Sequence, residues 1–266
     1  MAQTASPLPD PIPYLAQSKY KVGFNRSQLV MFAGPPGGGK TTVALIMALR
    51  MNIPTLYVSA DSDEVTMAAR AASAITGHEY SAIRTTQAMG MFGETYGNAL
   101  ARLPIRFMFD PSEPSMEDVA HAISAYVDVF GIPPELIVID NLMNMRHDEG
   151  GAGNEWQGMR QTIKSLHWLA RKTKACVWVL HHTSEQSDSY ITKAPPRPAI
   201  QGKLTQLPEL VVTLANDNGV MWFGIVKYRH GPSDPMAKDP LWMTVDFSTN
   251  RLWPPGGTTR EGISYV

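Results

Sequence analysis

Gly34-Pro35-Pro36-Gly37-Gly38-Gly39-Lys40-Thr41-Thr42 follows the pattern G-x-x-x-x-G-K-T. Glycines in such a turn leave no Cβ in the way, so successive backbone N–H groups can converge on a polyphosphate. The Lys40 ammonium would reach the β- and γ-phosphates, and the Thr41 hydroxyl would face Mg²⁺. The flanks agree with this chemistry. Leu29-Val30-Met31-Phe32-Ala33 reads as a buried strand, and Thr42-Val43-Ala44-Leu45-Ile46-Met47-Ala48-Leu49 as the following helix. That helix presents its positive dipole end to the phosphates. The segment from Gly34 to Thr42 is therefore expected to bind a nucleotide. An ordinary glycine-rich turn would leave Lys40 without a purpose.

A phosphate loop needs a carboxylate to hold the metal. Asp140 closes the apolar run Leu136-Ile137-Val138-Ile139, which places it at the carboxyl end of a buried strand, where α/β sheets build their sites. There it can hold Mg²⁺ directly or through water, with Thr41 as the other protein ligand. Hydrolysis also needs a group that orients the attacking water. Asp61 ends the strand Thr55-Leu56-Tyr57-Val58-Ser59-Ala60 and is the first candidate; Glu64 is the reserve. Either acid could equally sit at a helix N-terminus and serve the dipole.

Two further groups carry chemistry at strand ends. Ala175-Cys176-Val177-Trp178-Val179-Leu180 runs into His181-His182-Thr183-Ser184. Either histidine could touch the γ-phosphate and report its loss to the following loop, with His182 the site candidate. That loop, roughly 186–206, carries Lys193, Arg197 and Lys203, with Glu185 and Asp188 at its start. Long loops in compact domains are functional or disordered, and cationic ones suit phosphate-backbone contacts, so these three residues are candidates for binding DNA. Lys227 and Arg229 stand two apart in Lys227-Tyr228-Arg229-His230-Gly231-Pro232, so they project to one side of a strand end. In an isolated chain they form a surface pair. In an oligomer they could serve a neighbour's γ-phosphate.

These residues need a scaffold, and the chain can supply one. Its 266 residues are long enough to bury one sizeable core, and 44% are hydrophobic against 18% charged. From residue 27 onward strands and helices alternate, which predicts an α/β fold with a mostly parallel sheet. Leu210 to Leu214, Val220 to Lys227 and Leu241 to Phe247 read as antiparallel strands, with Asn216-Asp217-Asn218-Gly219 as the first turn. Ser115-Met116-Glu117-Asp118 has the form of a capping box, opening a helix with Val119, Ile123, Tyr126, Val127 and Phe130 on one face. A later helix ending near Lys174 carries the stripe Trp156, Met159, Ile163, Leu166 and Ala170. Residues 1–26 are proline-rich and are expected as a flexible tail or as an arm that docks on a neighbouring subunit. The expected division is arm 1–26, ATPase domain 27–255 and tail 256–266. A net charge of −1 excludes a generally basic coat, so any nucleic-acid contact must be local. The single Cys176 excludes an internal disulfide framework and a cysteine zinc site. The N-terminus lacks a secretory pattern, and no apolar run reaches the roughly 18 residues of a membrane span, which predicts a soluble cytoplasmic protein without membrane contact.

The order and content of these segments resemble the RecA-like motor domain of DnaB-type hexameric replicative helicases and the related RepA-type plasmid helicases. The resemblance covers about residues 20–255 and rests on Gly34–Thr41, on Asp140 with Asn141-Leu142-Met143, and on Lys227-x-Arg229-x-Gly231-Pro232. It implies a RecA-like P-loop NTPase fold, use of ATP and Mg²⁺, and translocation on single-stranded DNA. It further implies a homo-oligomer, as a hexameric ring, with Lys227 and Arg229 acting in trans. Replication proteins of a bacterial or phage-infected host cytoplasm are the implied further partners. Gly202-Lys203-Leu204-Thr205-Gln206-Leu207-Pro208-Glu209 resembles the end of the family's pore-facing DNA loop, and the His181-His182 pair is similar to the RepA branch. Asp61 stands where the family has a glutamate, and the family's N-terminal helical domain is not expected here. Competing readings are a RecA-like recombination or annealing ATPase, an ATP-regulated nuclease or scaffold factor, and a small-molecule P-loop kinase.

Overall fold

The computed structural model describes residues 6–109, 113–147, 155–184 and 193–257. Within them β1 (Leu29–Gly34), β2 (Thr55–Ser59), β3 (Ile105–Phe109), β4 (Leu136–Asp140), β5 (Cys176–His182), β6 (Leu210–Asp217), β7 (Val220–Tyr228), β8 (Leu241–Asp246) and β9 (Arg251–Trp253) form one sheet. Their order is β3-β2-β4-β5-β1-β6-β7-β8-β9. The pairings from β3 across to β6 are parallel and those from β6 to β9 antiparallel. Every residue of β1, β2 and β4 is buried, which is why these strands read as unbroken apolar runs rather than alternating ones.

Alternation still divides the core. Val30 and Phe32 face α2 (Lys40–Met51), where they meet Val43, Leu45 and Ile46. Leu29, Met31 and Ala33 face the other way, in one cluster with Val119 of α6 (Met116–Phe130) and with Met159, Ile163 and Leu166 of α7 (Glu155–Thr173). The capping box at Ser115 is present, with the Asp118 N–H donating to Ser115 Oγ at 3.2 Å and the Ser115 N–H to Asp118 Oδ2 at 2.8 Å. Val127 and Phe130, expected on the buried face of α6, are 37% and 39% exposed, because that helix meets the core along Met116, Val119, Ile123 and Tyr126 instead. Asn218 and Gly219 have φ of 49° and 78°, the left-handed pair that a two-residue hairpin between β6 and β7 requires.

Three features differ from the sequence expectation. Residues 8–24 are neither a free tail nor an arm extended to a neighbour. Leu8, Ile12, Leu15, Tyr20, Val22 and Phe24 are buried in the chain's own core, and Phe24 packs 5.0 Å from the Trp178 ring. The prolines serve this path: Pro13 opens the short helix α1 (Pro13–Gln17), where its missing N–H costs nothing. Two helices, α4 (Tyr80–Ala88) and α5 (Phe92–Ala101), fill a stretch for which the sequence showed no clear period. Each buries a single residue, Ile83 or Tyr96, against α3 (Glu64–Thr76), too little to leave a periodic stripe. The third feature is β9, three residues long and below any periodicity window.

Candidate active site

The phosphate loop joins β1 to α2, and its shape comes from glycines in the left-handed region. Gly37 and Gly39 have φ of 69° and 84°, and Gly39 caps α2 from the left-handed region. A Cβ on Gly39 would also lie 2.6 Å from the Met221 methyl and 3.2 Å from the Phe247 ring. The loop is thereby held against the C-terminal strands with the N-terminus of α2 facing the cleft. Lys40 Nζ donates to the carbonyls of Gly34 at 3.0 Å and Pro35 at 2.9 Å, so the ammonium waits folded against its own loop. Burial lowers its pKa, opposed by the charges of Asp140 and Asp61.

One cleft of about 400 Å³ gathers Pro36 to Thr42 with Asp61, Ser62, Arg70, Asp140, Asn141, His182 and Phe247. The topology explains the assembly. Parallel β2, β4, β5 and β1 all end at this edge, with Ser59 in register with Asp140 and Gly34 with His182. Asp140 is 2% exposed. Its Oδ2 accepts from the Tyr57 hydroxyl at 2.7 Å, and Thr41 also hydrogen-bonds it. Burial raises its pKa and these two donors pull it back. Asp61 is exposed at the end of β2, and Asn144 Nδ2 donates to its Oδ1 at 3.2 Å. His182 Nδ1 lies 3.4 Å from Lys40 Nζ, and burial and that charge both lower its pKa.

The donor set fits a Mg-nucleotide. A glycine cradle with a helix N-terminus suits a polyphosphate, and a threonine hydroxyl beside a buried carboxylate suits a hard cation that keeps most of its ligands from phosphate and water. Among the described residues no cluster of three or more His, Cys, Asp and Glu side chains could hold a metal without such help.

Other expected residues lie elsewhere. Glu64 is in the first turn of α3 and lines a separate groove with Phe107 and Phe109, while its neighbour Asp63 caps that helix through Thr66 N–H at 2.7 Å. Lys227 and Arg229 sit at the far end of the sheet: Lys227 pairs with Val211 and Tyr228 with Leu210, which is level with Val30 near the start of β1. That is roughly a strand length, about 15 Å, from Gly34. Lys227 Nζ donates to the carbonyls of Thr205 at 2.8 Å and Gln206 at 2.7 Å, and burial pushes its pKa down to about 8. Arg229 lies 3.7 Å from Glu209, a buried carboxylate that also accepts from the Leu29 N–H at 2.9 Å and contacts His167 at 3.1 Å. Lys193, Arg197 and Lys203 are exposed, yet their backbone is not loose. Ala194, Ile200 and Leu204 are buried, and Ser184 N–H bonds the Ala199 carbonyl at 2.9 Å. Glu185 and Asp188 lie outside the described residues.

Sequence reasoning missed Tyr57, Arg70 and Phe247. Tyr57 looked like one more buried strand residue. Arg70 did leave a signal, as the lone cation in the alanine-rich run Met67 to Ala74 of α3.

Residues 16–188, which include the phosphate loop, Asp61, Asp140 and His182, match the family described as AAA domain. The chain belongs to the AAA domain family. It is 36% identical over 221 residues to the gene 65 protein of Mycobacterium phage D29, covering 79% of this chain and 92% of that one. The replicative DNA helicase DnaB of Nostoc sp. is 27% identical over 202 residues, 73% of this chain but 22% of DnaB. Two solved structures share the fold. One, an isolated ATPase domain, superposes with a TM-score of 0.78 at 17% identity, over 95% of this chain and 93% of that one. A DnaB-like replicative helicase, described with its interactions with primase, gives 0.80 at 16% identity, over 96% of this chain and 64% of that one. This AAA-domain chain is thus an ATPase with the RecA-like fold of DnaB-type helicase motor domains. Among its described residues no helix is long and apolar enough to cross a membrane.

Proposed function

We propose that this AAA-domain protein is a Mg-ATP-dependent oligomeric motor that moves on single-stranded DNA and hydrolyses ATP between subunits. The supporting observation is the separation of its cations. Lys40 lies in the cleft, whereas Lys227 and Arg229 lie at the opposite end of the sheet and cannot reach their own chain's phosphates. A phosphoryl-transfer site benefits strongly from a cation on the γ-phosphate. A second copy supplying Lys227 and Arg229 provides it.

In this reading Lys40 and the loop N–H groups bind the phosphates, Thr41 and Asp140 hold Mg²⁺, and Asp61 orients the attacking water. When bound there, Mg²⁺ would supply neutralisation of phosphate charge. His182, in contact distance of Lys40, carries the change in the phosphate to the chain that follows β5. Phe247 offers an apolar ring at the rim of the cleft for the nucleotide base. Lys227, bound to the carbonyls of Thr205 and Gln206, ties the trans element to the segment bearing Lys193, Arg197 and Lys203, the proposed DNA contacts. In this reading the motor works in a phage-infected or bacterial cytoplasm alongside other replication proteins, which relatives from a mycobacteriophage and a bacterium support.

Particle images and mass measurement with a non-hydrolysable ATP analogue and oligo-dT test the assembly. Closed rings of about six subunits are expected. A monomer under all conditions overturns the reading, and an open filament replaces it with an annealing or recombination ATPase.

A further inference from the structure

Trp222 and Trp242 stand opposite each other on β7 and β8, with ring centroids 6.4 Å apart. Their strand neighbours Met221, Phe223, Leu241 and Met243 are buried in the cluster beneath α2, so alternation sends both indoles to the other face of the sheet. The open face of an antiparallel sheet is ordinarily polar. Thr244 obeys that rule, but Trp242 is 37% exposed and does not. Trp222 is half-buried against the second core cluster, and Trp242 stands over it as the exposed member, the informative exception on such a surface.

One cation lies on the pair and a second follows four residues later in the same segment. Lys193 Nζ lies 4.2 Å from the Trp222 ring centroid. The next residue fixes it there: Ala194 is fully buried, and a Cβ on Gly224 would approach the Cβ atoms of Ala194 and Ala237 to 3.2 and 3.1 Å. Only the missing side chain of Gly224 lets the two alanines close over β7. Arg197 is exposed, with its backbone N–H bound to the Pro235 carbonyl at 2.8 Å. The acids of the adjoining turn are engaged locally. Asp234 accepts from the Met236 and Asp239 N–H groups, and Asp239 pairs with Lys19.

We propose that Trp222 and Trp242, with Lys193 and Arg197, form a stacking contact for single-stranded nucleic acid. An unpaired base lies against Trp242 and its flanking phosphates meet Lys193 and Arg197. The proposal rests on the reading of the chain as a DNA motor and adds a base-stacking element to what was only charge. Aromatic rings beside cations are the combination that holds single strands without regard to sequence. A protein interface is the poorer fit, because its core is depleted in lysine, and here Lys193 sits on the Trp222 ring.

The test uses the full chain with a non-hydrolysable ATP analogue and fluorescein-labelled oligo-dT, reading anisotropy and, with unlabelled oligo-dT, tryptophan emission. The wild type binds and its emission is quenched. Trp242→Phe keeps a ring and binds within about threefold, but its quenching shrinks. Trp242→Ala weakens binding roughly tenfold or more. Lys193→Ala lowers the slope of log affinity against log salt by about one. Binding by Trp242→Ala equal to wild type overturns the contact while leaving the motor reading intact. So does a blue shift of the emission with protein concentration alone that Trp242→Phe abolishes, which would assign the patch to a second copy. If the wild type binds no oligonucleotide at all, the motor reading itself fails.

Discussion

The Tyr57 hydroxyl donates to Asp140 Oδ2 at 2.7 Å, and both side chains are buried. A carboxylate in that position has no solvent to orient it, so the phenol fixes which oxygen faces the cleft. The donor lies on β2 and the acceptor on β4, adjacent strands that end together. Groups behind a metal ligand ordinarily change metal affinity roughly tenfold or more when removed. Tyr57→Phe should therefore raise the Mg²⁺ concentration for half-maximal binding of a fluorescent ATP analogue by about tenfold. Binding without Mg²⁺ should change little. An unchanged Mg²⁺ titration would reduce Tyr57 to a packing residue.

Lys40 and Arg229 should fail separately and recover together. Lys40→Ala removes the phosphate grip, and Arg229→Ala removes the cation proposed to act on a neighbour. If sites form between subunits, mixing the two inactive variants creates some sites with an intact Lys40 and an intact Arg229. Equal mixing should restore up to about a quarter of wild-type ATPase activity, by random-assortment arithmetic on the shared-site geometry. Full activity of Arg229→Ala at every protein concentration would rule out the trans role.

Asp61 and Glu64 separate clearly by position. Asp61 lines the cleft, and Glu64 lines the groove beside Phe107 and Phe109. Asp61→Asn should cut turnover by roughly 10²–10⁴-fold, the ordinary worth of a positioned base, and leave nucleotide binding intact. Glu64→Gln should have little effect on turnover. The reverse result would assign the water to Glu64 and require α3 to move.

His181 sets a dependence of stability on pH. Its Nε2 lies 3.1 Å from the Gln201 carbonyl, to which the neutral ring donates, and burial pushes its pKa from 6.5 down to about 4. The unfolded chain therefore binds this proton more readily between those values. The folded state should lose stability as pH falls from about 6.5 to about 4, by a few kcal/mol at most from this group. Urea denaturation midpoints across that range should flatten in His181→Gln relative to wild type.

Much of the site was legible because phosphate chemistry leaves a local mark. Gly34 to Thr42, Asp61, Asp140 and His182 each sit at the end of an apolar run, and a parallel sheet must bring such ends to one edge. The apolar runs of β1, β2, β4 and β5 were visible because burial on both faces removes polar interruptions. What the sequence determined by itself was this: a strand, a glycine turn and a helix in the order a phosphate site needs, and acids at strand ends that a parallel sheet brings beside it.

Tertiary structure decided the rest, because the remaining relationships join residues far apart in the chain. The path of residues 8–24 depended on a sheet face left uncovered by α2, which no local pattern records. Tyr57 became a partner of Asp140 only when β2 was placed beside β4. Glu64 left the cleft because Asp63 caps α3 and the first helical residue then lies beside Phe107 and Phe109 of β3. Lys227 and Arg229 were fixed at the far end of the sheet by the antiparallel return of β7 along β6. That pairing reverses the chain direction, and so separates these cations from the phosphate loop of their own subunit.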